Sequence, residues 1–270
     1  MPELPEVETT RRGVAPHVER QKVTAVRIYD RRLRWPVPPD LGPRLVGRTV
    51  DRIDRRSKYL LFRFGNDTLI VHLGMTGSLR VHRRAPPRRP HDHVDIRFAN
   101  GVLLRYHDPR RFGAMLWSSS ADRHPLLASL GPEPLEDGFS AEGLHRRLRG
   151  RRTSIKAALM DSRIVVGVGN IYANEALFRA GIRPGRAAGR LTRADTQALV
   201  SAVRETLSTA ITRGGSTLRD YVDSDGQPGE FQLQCFVYGR EGLPCRRCGT
   251  RLKGVRLGGR ATTYCPRCQR

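Results

Sequence analysis

Four thiols lie in the last 26 residues, as Cys245-x-x-Cys248, a gap of sixteen residues, and Cys265-x-x-Cys268. Paired cysteines at this spacing form a four-cysteine zinc pattern, with each pair presenting two thiolates from one tight turn. Four thiolates close the coordination sphere, so the implied Zn2+ is a single structural ion that touches no substrate. Gly249 helps the chain turn after Cys248, and Gly258-Gly259 between the pairs suits a β-hairpin. Redox dithiols are the minor alternative. Cys235 stands apart and reads as a free thiol with no role.

The second chemically suggestive residue is Pro2. Removing Met1 before a small second residue would expose a secondary amine with a pKa of about 8. Such an amine can attack a carbonyl-like carbon and form an iminium. Many chains begin Met-Pro and most such termini are inert, so Pro2 gains meaning only from its context. A third feature is Val165-Val-Gly-Val-Gly-Asn170, which leads into an apparent helix from Ile171. Gly167 and Gly169 permit a tight turn, Asn170 suits the N-cap, and a helix N-terminus after glycines is a natural phosphate site. The run is neither a dinucleotide fingerprint nor a Walker loop. An ordinary packing turn is the competing reading.

Charge favours phosphate. The chain carries 49 Lys and Arg against 26 Asp and Glu, a net +23. Such an excess points to a polyanion, of which nucleic acid is the commonest. From Cys235 to Arg270 there are nine basic residues and one acid, Glu241, and Arg260 at the expected hairpin is the best single phosphate-gripping candidate. The N-terminus lacks the basic and apolar regions of a secretory signal, and no apolar run is long enough to span a bilayer. A cytosolic protein without membrane contact is the expectation.

The elements that must position these residues change character along the chain. Short β-branched and aromatic runs recur at Lys22–Tyr29, Tyr59–Phe64, Thr68–Leu73, Ser78–His82, His93–Phe98, Val102–Tyr106 and Phe112–Trp117. Turn residues bound them, and Asn100-Gly101 between two runs is a strong hairpin signal. A helix with Pro5 at a first helical position should precede them and stop near Gly13. Gly131-Pro-Glu-Pro-Leu135 forbids a helix and reads as a linker. Helices should then run from about Ser140 to Gly214. Thr192-Arg-Ala-Asp195 fits a capping box, and Leu199, Val203, Leu207 and Ile211 form one apolar face behind it. Strands followed by helices argue α+β in two domains, the first an antiparallel sandwich or barrel.

Taken together, Met1-Pro-Glu-Leu-Pro-Glu-Val-Glu8, Arg31-Arg-Leu-Arg-Trp-Pro36, Lys58-Tyr-Leu-Leu61, His72-Leu-Gly-Met-Thr-Gly77, His91-Asp-His-Val-Asp95, Asp108-Pro-Arg-Arg-Phe-Gly113, Gly167-Val-Gly-Asn-Ile-Tyr172 and the four-cysteine tail resemble bacterial formamidopyrimidine-DNA glycosylase. The motifs run in order over essentially the whole chain. The start resembles this branch rather than the endonuclease VIII branch, which usually begins Pro-Glu-Gly-Pro.

The resemblance implies an N-terminal catalytic β-sandwich domain with a flanking helix over residues 1–131 and a linker over 132–139. A helix–two-turns–helix DNA-binding domain would follow over 140–230, with a zinc finger over 235–270 and DNA in the cleft between domains. It implies a bifunctional glycosylase and abasic-site lyase of base excision repair, acting on duplex DNA with oxidised purines or abasic sites, as a monomer in the bacterial cytosol and nucleoid. Pro2 would be the nucleophile, Glu3 the proton shuttle, Lys58 an acid in β-elimination, and Arg260 the group supporting δ-elimination. Met75, Arg110 and Phe112 would fill the space left by the extruded nucleotide. Arg110 would also face the orphaned cytosine. His91, Asn170 and Arg151 would contact phosphate, although the family often has Lys at the last position. The loop Ser216–Glu230 would close over the flipped base. A metal at His91-Asp92-His93 is rejected, because the spacing suits alternate faces of a strand start and no third ligand is evident.

Three rivals predict different behaviour. An endonuclease VIII-like enzyme would prefer oxidised pyrimidines, and the Met75, Arg110 and Phe112 set argues against it. A non-catalytic zinc-finger DNA-binding protein would not need Pro2, Glu3 and Lys58. A translation-associated zinc protein would bind RNA and form no borohydride-dependent crosslink.

Overall fold

The computed structural model describes residues 2–215 and 235–270, so the Ser216–Glu230 loop lies outside the described residues. The chain divides into two compact units. The first runs to Ala128, and the second takes up Ser129–Thr212 and the cysteine-rich tail.

The first unit opens with α1 (Leu4–Val18) and β1 (Val23–Ile28), followed by a short α2 (Leu41–Leu45). Seven strands follow: β2 (Arg52–Arg56), β3 (Tyr59–Phe64), β4 (Asp67–His72), β5 (Ser78–His82), β6 (Asp92–Phe98), β7 (Leu103–His107) and β8 (Ala114–Ser118). A one-turn helix, α3 (Pro125–Ala128), closes the unit. The strands form two antiparallel four-stranded sheets, ordered β1-β6-β7-β5 and β2-β3-β4-β8. Leu79, Val94, Ile96 and Leu104 of one sheet pack with Ile53, Leu60, Phe62, Leu69 and Val71 of the other, and Val7, Val14 and Val18 of α1 join the same core. A two-sheet sandwich with a flanking helix is the expected consequence of strands that bury alternate side chains.

The expected stop at Gly13 does not occur. The helix continues to Val18 and carries Pro16 in its last turn. A helical glycine costs about 1 kcal/mol, and burial of Val14, Ala15 and Val18 beyond it offsets that. Strand β2, absent from the sequence reading, reads Arg-Ile-Asp-Arg-Arg. It is an edge strand paired only with β3. Its charged residues suit an edge, where they blunt unwanted pairing, but they hide any hydrophobic alternation. The Phe112–Trp117 run becomes a strand only at Ala114, and Phe112 stays in the preceding loop.

The second unit contains α4 (Ala141–Leu148), α5 (Ile155–Leu159), α6 (Asn170–Arg179) and α7 (Arg193–Thr212), then a hairpin of β9 (Lys253–Leu257) and β10 (Arg260–Tyr264). The capping box before α7 is formed: Thr192 N–H donates to Asp195 Oδ2 at 2.8 Å and Asp195 N–H to Thr192 Oγ1 at 3.1 Å. Leu199, Val203 and Leu207 are buried as their spacing predicts, while Ile211 is only half-buried. Ser140 and Ser154 cap α4 and α5 through their hydroxyls.

Candidate nucleic-acid interface and its chemical groups

Apart from the four cysteines, the predicted residues lie in three regions, two in the first unit and one in the second. The first is the start of α1. Pro2 is buried, and Glu3 is the N-cap of the helix with only 2% of its surface exposed. Glu3 N–H donates to Glu6 Oε2 at 2.7 Å, which satisfies a helix-end donor and fixes the backbone beside Pro2. Five residues after Glu3, Glu8 accepts from Arg11 Nη2 at 2.9 Å and Arg12 Nε at 2.8 Å, with Arg55 Nε 3.3 Å away. Burial works to raise the Glu8 pKa, but hydrogen bonds from Arg11 and Arg12 and the charges of Arg11 and Arg55 hold it below the usual range. Glu8 is therefore a structural anion that ties α1 to the edge strand carrying Arg55.

Lys58 lies in the two-residue turn between β2 and β3, a position that could not be derived while β2 went unrecognised. Ser57 before it has φ 57°, the left-handed geometry that a two-residue hairpin needs at its first position. Across the β3–β4 pair, Tyr59 stands opposite His72, and their rings lie 4.8 Å apart. Burial, then the charges of Lys58 and Arg34, lower the His72 pKa to about 4. His72 is thus a neutral imidazole near neutral pH, and its Nδ1 accepts from Gly74 N–H at 3.0 Å.

The second cluster joins the turn after β4 to the loop before β8. Gly74 has φ 63°, and a Cβ there would lie 2.4 Å from the Phe112 carbonyl carbon, so the two segments touch backbone to backbone. Met75 follows Gly74 and is half-buried. Phe112 is 45% exposed, with the Arg110 guanidinium 5.0 Å from its ring centre. Phe112 is therefore not a core residue. Exposed His91, with φ 69°, accepts from Asp108 N–H through its carbonyl at 3.1 Å, which brings it to the same loop.

His93 and Asp92 are otherwise engaged. The two ring nitrogens of His93 lie 3.0 Å from the carbonyls of Asp30 and Asp108. Asp92 takes His107 Nδ1 at 2.9 Å and Arg89 N–H at 2.7 Å.

The third region lies in the second unit, with Arg151, Asn170 and Arg260 on separate segments. Asn170 is not the N-cap of α6, because Gly169 takes that place and Asn170 is the first helical residue. Its Oδ1 is buried with no hydrogen-bond partner among the described residues. Gly167 has φ 78°, as a tight turn into the helix requires. Arg151 is exposed, its Nε donating to the Arg147 carbonyl at 2.9 Å. Gly258 and Gly259 have φ 55° and 73°, the signature of a two-residue turn with both residues left-handed. Arg260 opens β10 directly after that turn and is exposed.

The thiols of Cys245, Cys248, Cys265 and Cys268 lie within 4.8 Å of one another. Tetrahedral zinc at about 2.3 Å from each sulfur asks for sulfur pairs just under 4 Å apart, so the set fits. Burial first, then hydrogen bonding among neighbouring thiols, pushes Cys268 up to about 12, a crowding that a bound dication relieves. Gly249, with φ 75°, turns the chain after the first pair. Cys235 is buried.

Sequence reasoning missed several supporting residues. Glu175 accepts from the backbone N–H groups of Phe236, Val237 and Tyr238 at 2.8–2.9 Å and so seats the start of the tail on α6. Asn174 Oδ1 takes Thr263 N–H at 3.0 Å, and Lys156 reaches β10. Nothing local distinguishes these from surface polar residues, because their partners are distant in sequence.

Comparison with known proteins gives one consistent result. Residues 1–115 match the formamidopyrimidine-DNA glycosylase N-terminal domain, residues 130–222 its H2TH domain, and residues 242–270 the zinc finger found in FPG and IleRS. The chain is 56% identical to a formamidopyrimidine-DNA glycosylase of Methylococcus capsulatus and 57% identical to that of Stutzerimonas stutzeri, in both cases over 100% of each chain. It is similar to the crystal structure of the MutM (Fpg) protein of Thermus thermophilus, at 44% identity and TM-score 0.88, covering 99% of this chain and 98% of that one. It is also similar to the G226P mutant of Lactococcus lactis Fpg in complex with Fapy-dG-containing DNA, at 35% identity and TM-score 0.91, covering 100% of each chain.

Proposed function

The chain belongs to the formamidopyrimidine-DNA glycosylase family, and on that premise we propose that it excises oxidised purines from duplex DNA and then cleaves the strand, with Pro2 as nucleophile. It is a DNA glycosylase of base excision repair with one structural zinc ion. Fpg of Lactococcus lactis forms complexes with DNA containing Fapy-dG and with DNA containing an abasic site, and we carry those ligand classes to this chain.

A stacked base is out of reach, so the target nucleotide must leave the helix. With Met1 removed, the Pro2 nitrogen attacks C1′, the N-glycosidic bond breaks, and the base departs with a proton. Glu3 supplies the proton that opens the sugar ring and leaves an iminium between Pro2 and C1′. Loss of a C2′ proton then expels the 3′ phosphate oxygen. A second elimination expels the 5′ oxygen, and water releases Pro2. Lys58 assists the first elimination and Arg260 the second. Met75, Arg110 and Phe112 occupy the vacated stack, with Arg110 facing the orphaned cytosine. His91, Arg151 and Asn170 bind phosphates. The zinc ion, held by Cys245, Cys248, Cys265 and Cys268, keeps the Arg260 hairpin rigid and takes no part in bond making.

We assign residues 1–131 to the catalytic domain, 140–230 to the helix–two-turns–helix domain and 235–270 to the zinc finger, in a monomeric cytosolic protein without membrane contact. Among the described residues no helix is long and apolar enough to cross a membrane.

The observation that carries most weight is the buried pair Pro2 and Glu3 at the start of α1, where Glu6 holds the backbone of Glu3. The test is a duplex with one 8-oxoguanine opposite cytosine, incubated with protein shown to begin at Pro2, with and without borohydride. A borohydride-dependent adduct at residue 2 is expected. Its absence from protein that binds the duplex would overturn the amine mechanism for this lesion. An adduct formed only with oxidised pyrimidines would favour the endonuclease VIII-like rival.

A further inference from the structure

The turn carrying Met75 and the loop carrying Arg110 and Phe112 are far apart in sequence, yet one buried carboxylate touches both. Asp108 has none of its surface exposed. Its Oδ1 accepts from the Thr76 hydroxyl at 2.6 Å, and its Oδ2 accepts from Gly113 N–H at 2.8 Å. The Thr76 oxygen in turn accepts from Arg110 N–H at 3.2 Å. The Asp108 backbone is held as well: its carbonyl lies 3.0 Å from His93 Nε2, and its N–H donates to the His91 carbonyl at 3.1 Å. Each neighbour of Met75 therefore grips the other loop. Thr76 does so through Asp108 and Arg110, and Gly74 through direct contact with the Phe112 carbonyl carbon.

Buried hydrogen bonds to a charged acceptor are stronger than neutral ones and hold their geometry, because exchanging them for water is not possible inside the fold. The residue best placed to insert between bases and the residue best placed to read the opposite base are thus bound into one body.

We infer that Asp108, acting through Thr76, is a positioning residue that locks Met75, Arg110 and Phe112 into a single wedge, so that recognition of the opposite base and extrusion of the lesion occur as one event. This rests on the reading above that these three side chains fill the vacated stack. Asp108 touches no substrate atom in this scheme and acts only by holding the wedge.

The substitutions that test this are mild. Thr76→Val keeps the shape and removes the hydroxyl. Asp108→Asn sets an amide donor against either the Thr76 hydroxyl or the Gly113 N–H. Thr76→Ser keeps the hydroxyl and serves as the rescue. Three quantities are measured: kcat/KM on 8-oxoguanine opposite cytosine in a duplex, the ratio of that value to the one opposite adenine, and borohydride trapping on a single-stranded abasic oligonucleotide. The last needs the Pro2 amine but no wedge.

For Thr76→Val and Asp108→Asn we expect kcat/KM on the duplex to fall about 10- to 100-fold, the range of one lost charged hydrogen bond. The cytosine preference should shrink, trapping on the single strand should be unchanged, and Thr76→Ser should behave as wild type. Duplex excision that is unchanged, or that falls in step with single-strand trapping, would overturn the inference. Met75→Ala is run alongside. If it costs duplex activity while Thr76→Val does not, only the locking role fails. If it costs nothing, the wedge reading fails and this inference with it.

Discussion

Lys156 Nζ, at the end of a side chain 1% exposed, donates to Thr262 Oγ1 at 2.7 Å and to the Ala261 carbonyl at 2.8 Å. A lysine on α5 therefore pins strand β10 one residue beyond Arg260. An ammonium this deep in a fold is held only where it is hydrogen-bonded, and here two of its partners belong to the hairpin that carries Arg260.

Lys156→Met preserves the aliphatic stem and removes the ammonium that makes both bonds. The two acceptors left behind cost about 1–3 kcal/mol. Thermal unfolding should show that loss, and affinity for an abasic-site duplex should fall with it. Unchanged stability together with unchanged affinity would show that the hairpin is held by other contacts.

His72 makes stability depend on acidity. Its folded pKa of about 4 lies below the ordinary histidine value of 6.5. Above pH 6.5 the ring is neutral in both states and the dependence is flat. Between 6.5 and about 4 the unfolded chain takes up a proton that the folded chain refuses, so stability falls as pH falls, by at most about 3 kcal/mol. Melting curves of the wild type and His72→Gln should converge as pH drops through this window. Curves that stay parallel would mean that His72 is not the group responsible.

Removing zinc by chelation, or replacing Cys248 with Ser, should weaken duplex binding while the β-sheet signal of the N-terminal unit persists. The four thiols lie at the far end of the chain from that sandwich, and a closed thiolate site supplies folding free energy mainly to its own module. Undiminished binding by metal-free protein would remove the finger from the DNA-binding surface.

A chain with 49 basic residues and a net +23 should lose affinity steeply as salt rises. Arg260→Ala should weaken binding across sequences and lower the slope of log K against log salt by about 1, one phosphate's worth. The slope is read from titrations over a series of salt concentrations. An unaltered slope would mean that Arg260 does not meet a phosphate.

Much of the site was legible because its signals are local. Two Cys-x-x-Cys pairs, the Gly258-Gly259 turn, the Thr192–Asp195 capping box and the Asn100-Gly101 hairpin each act within a few residues, so spacing alone reveals them. Where competing local signals met, the reading failed. Gly13 reads as a stop until burial of Val14, Ala15 and Val18 outweighs it. Asn170 reads as a cap until Gly169 takes the extended geometry that an N-cap needs.

Residue types and their spacing were enough for the α+β order, the metal site, the polyanionic partner and, through motifs spread over the whole chain, the family. How the candidate side chains are held emerged only from the folded chain. The placing of Lys58 at a hairpin tip depends on β2, a charged edge strand that only pairing with β3 defines. The neutrality of His72 depends on burial and on the cations around it. Asp108 binds Thr76 from 32 residues away, Lys156 binds Thr262 from 106, and Glu175 binds Val237 from 62. Such partners leave no periodic trace, because a buried hydrogen bond depends on two atoms meeting in space and not on the interval between them along the chain.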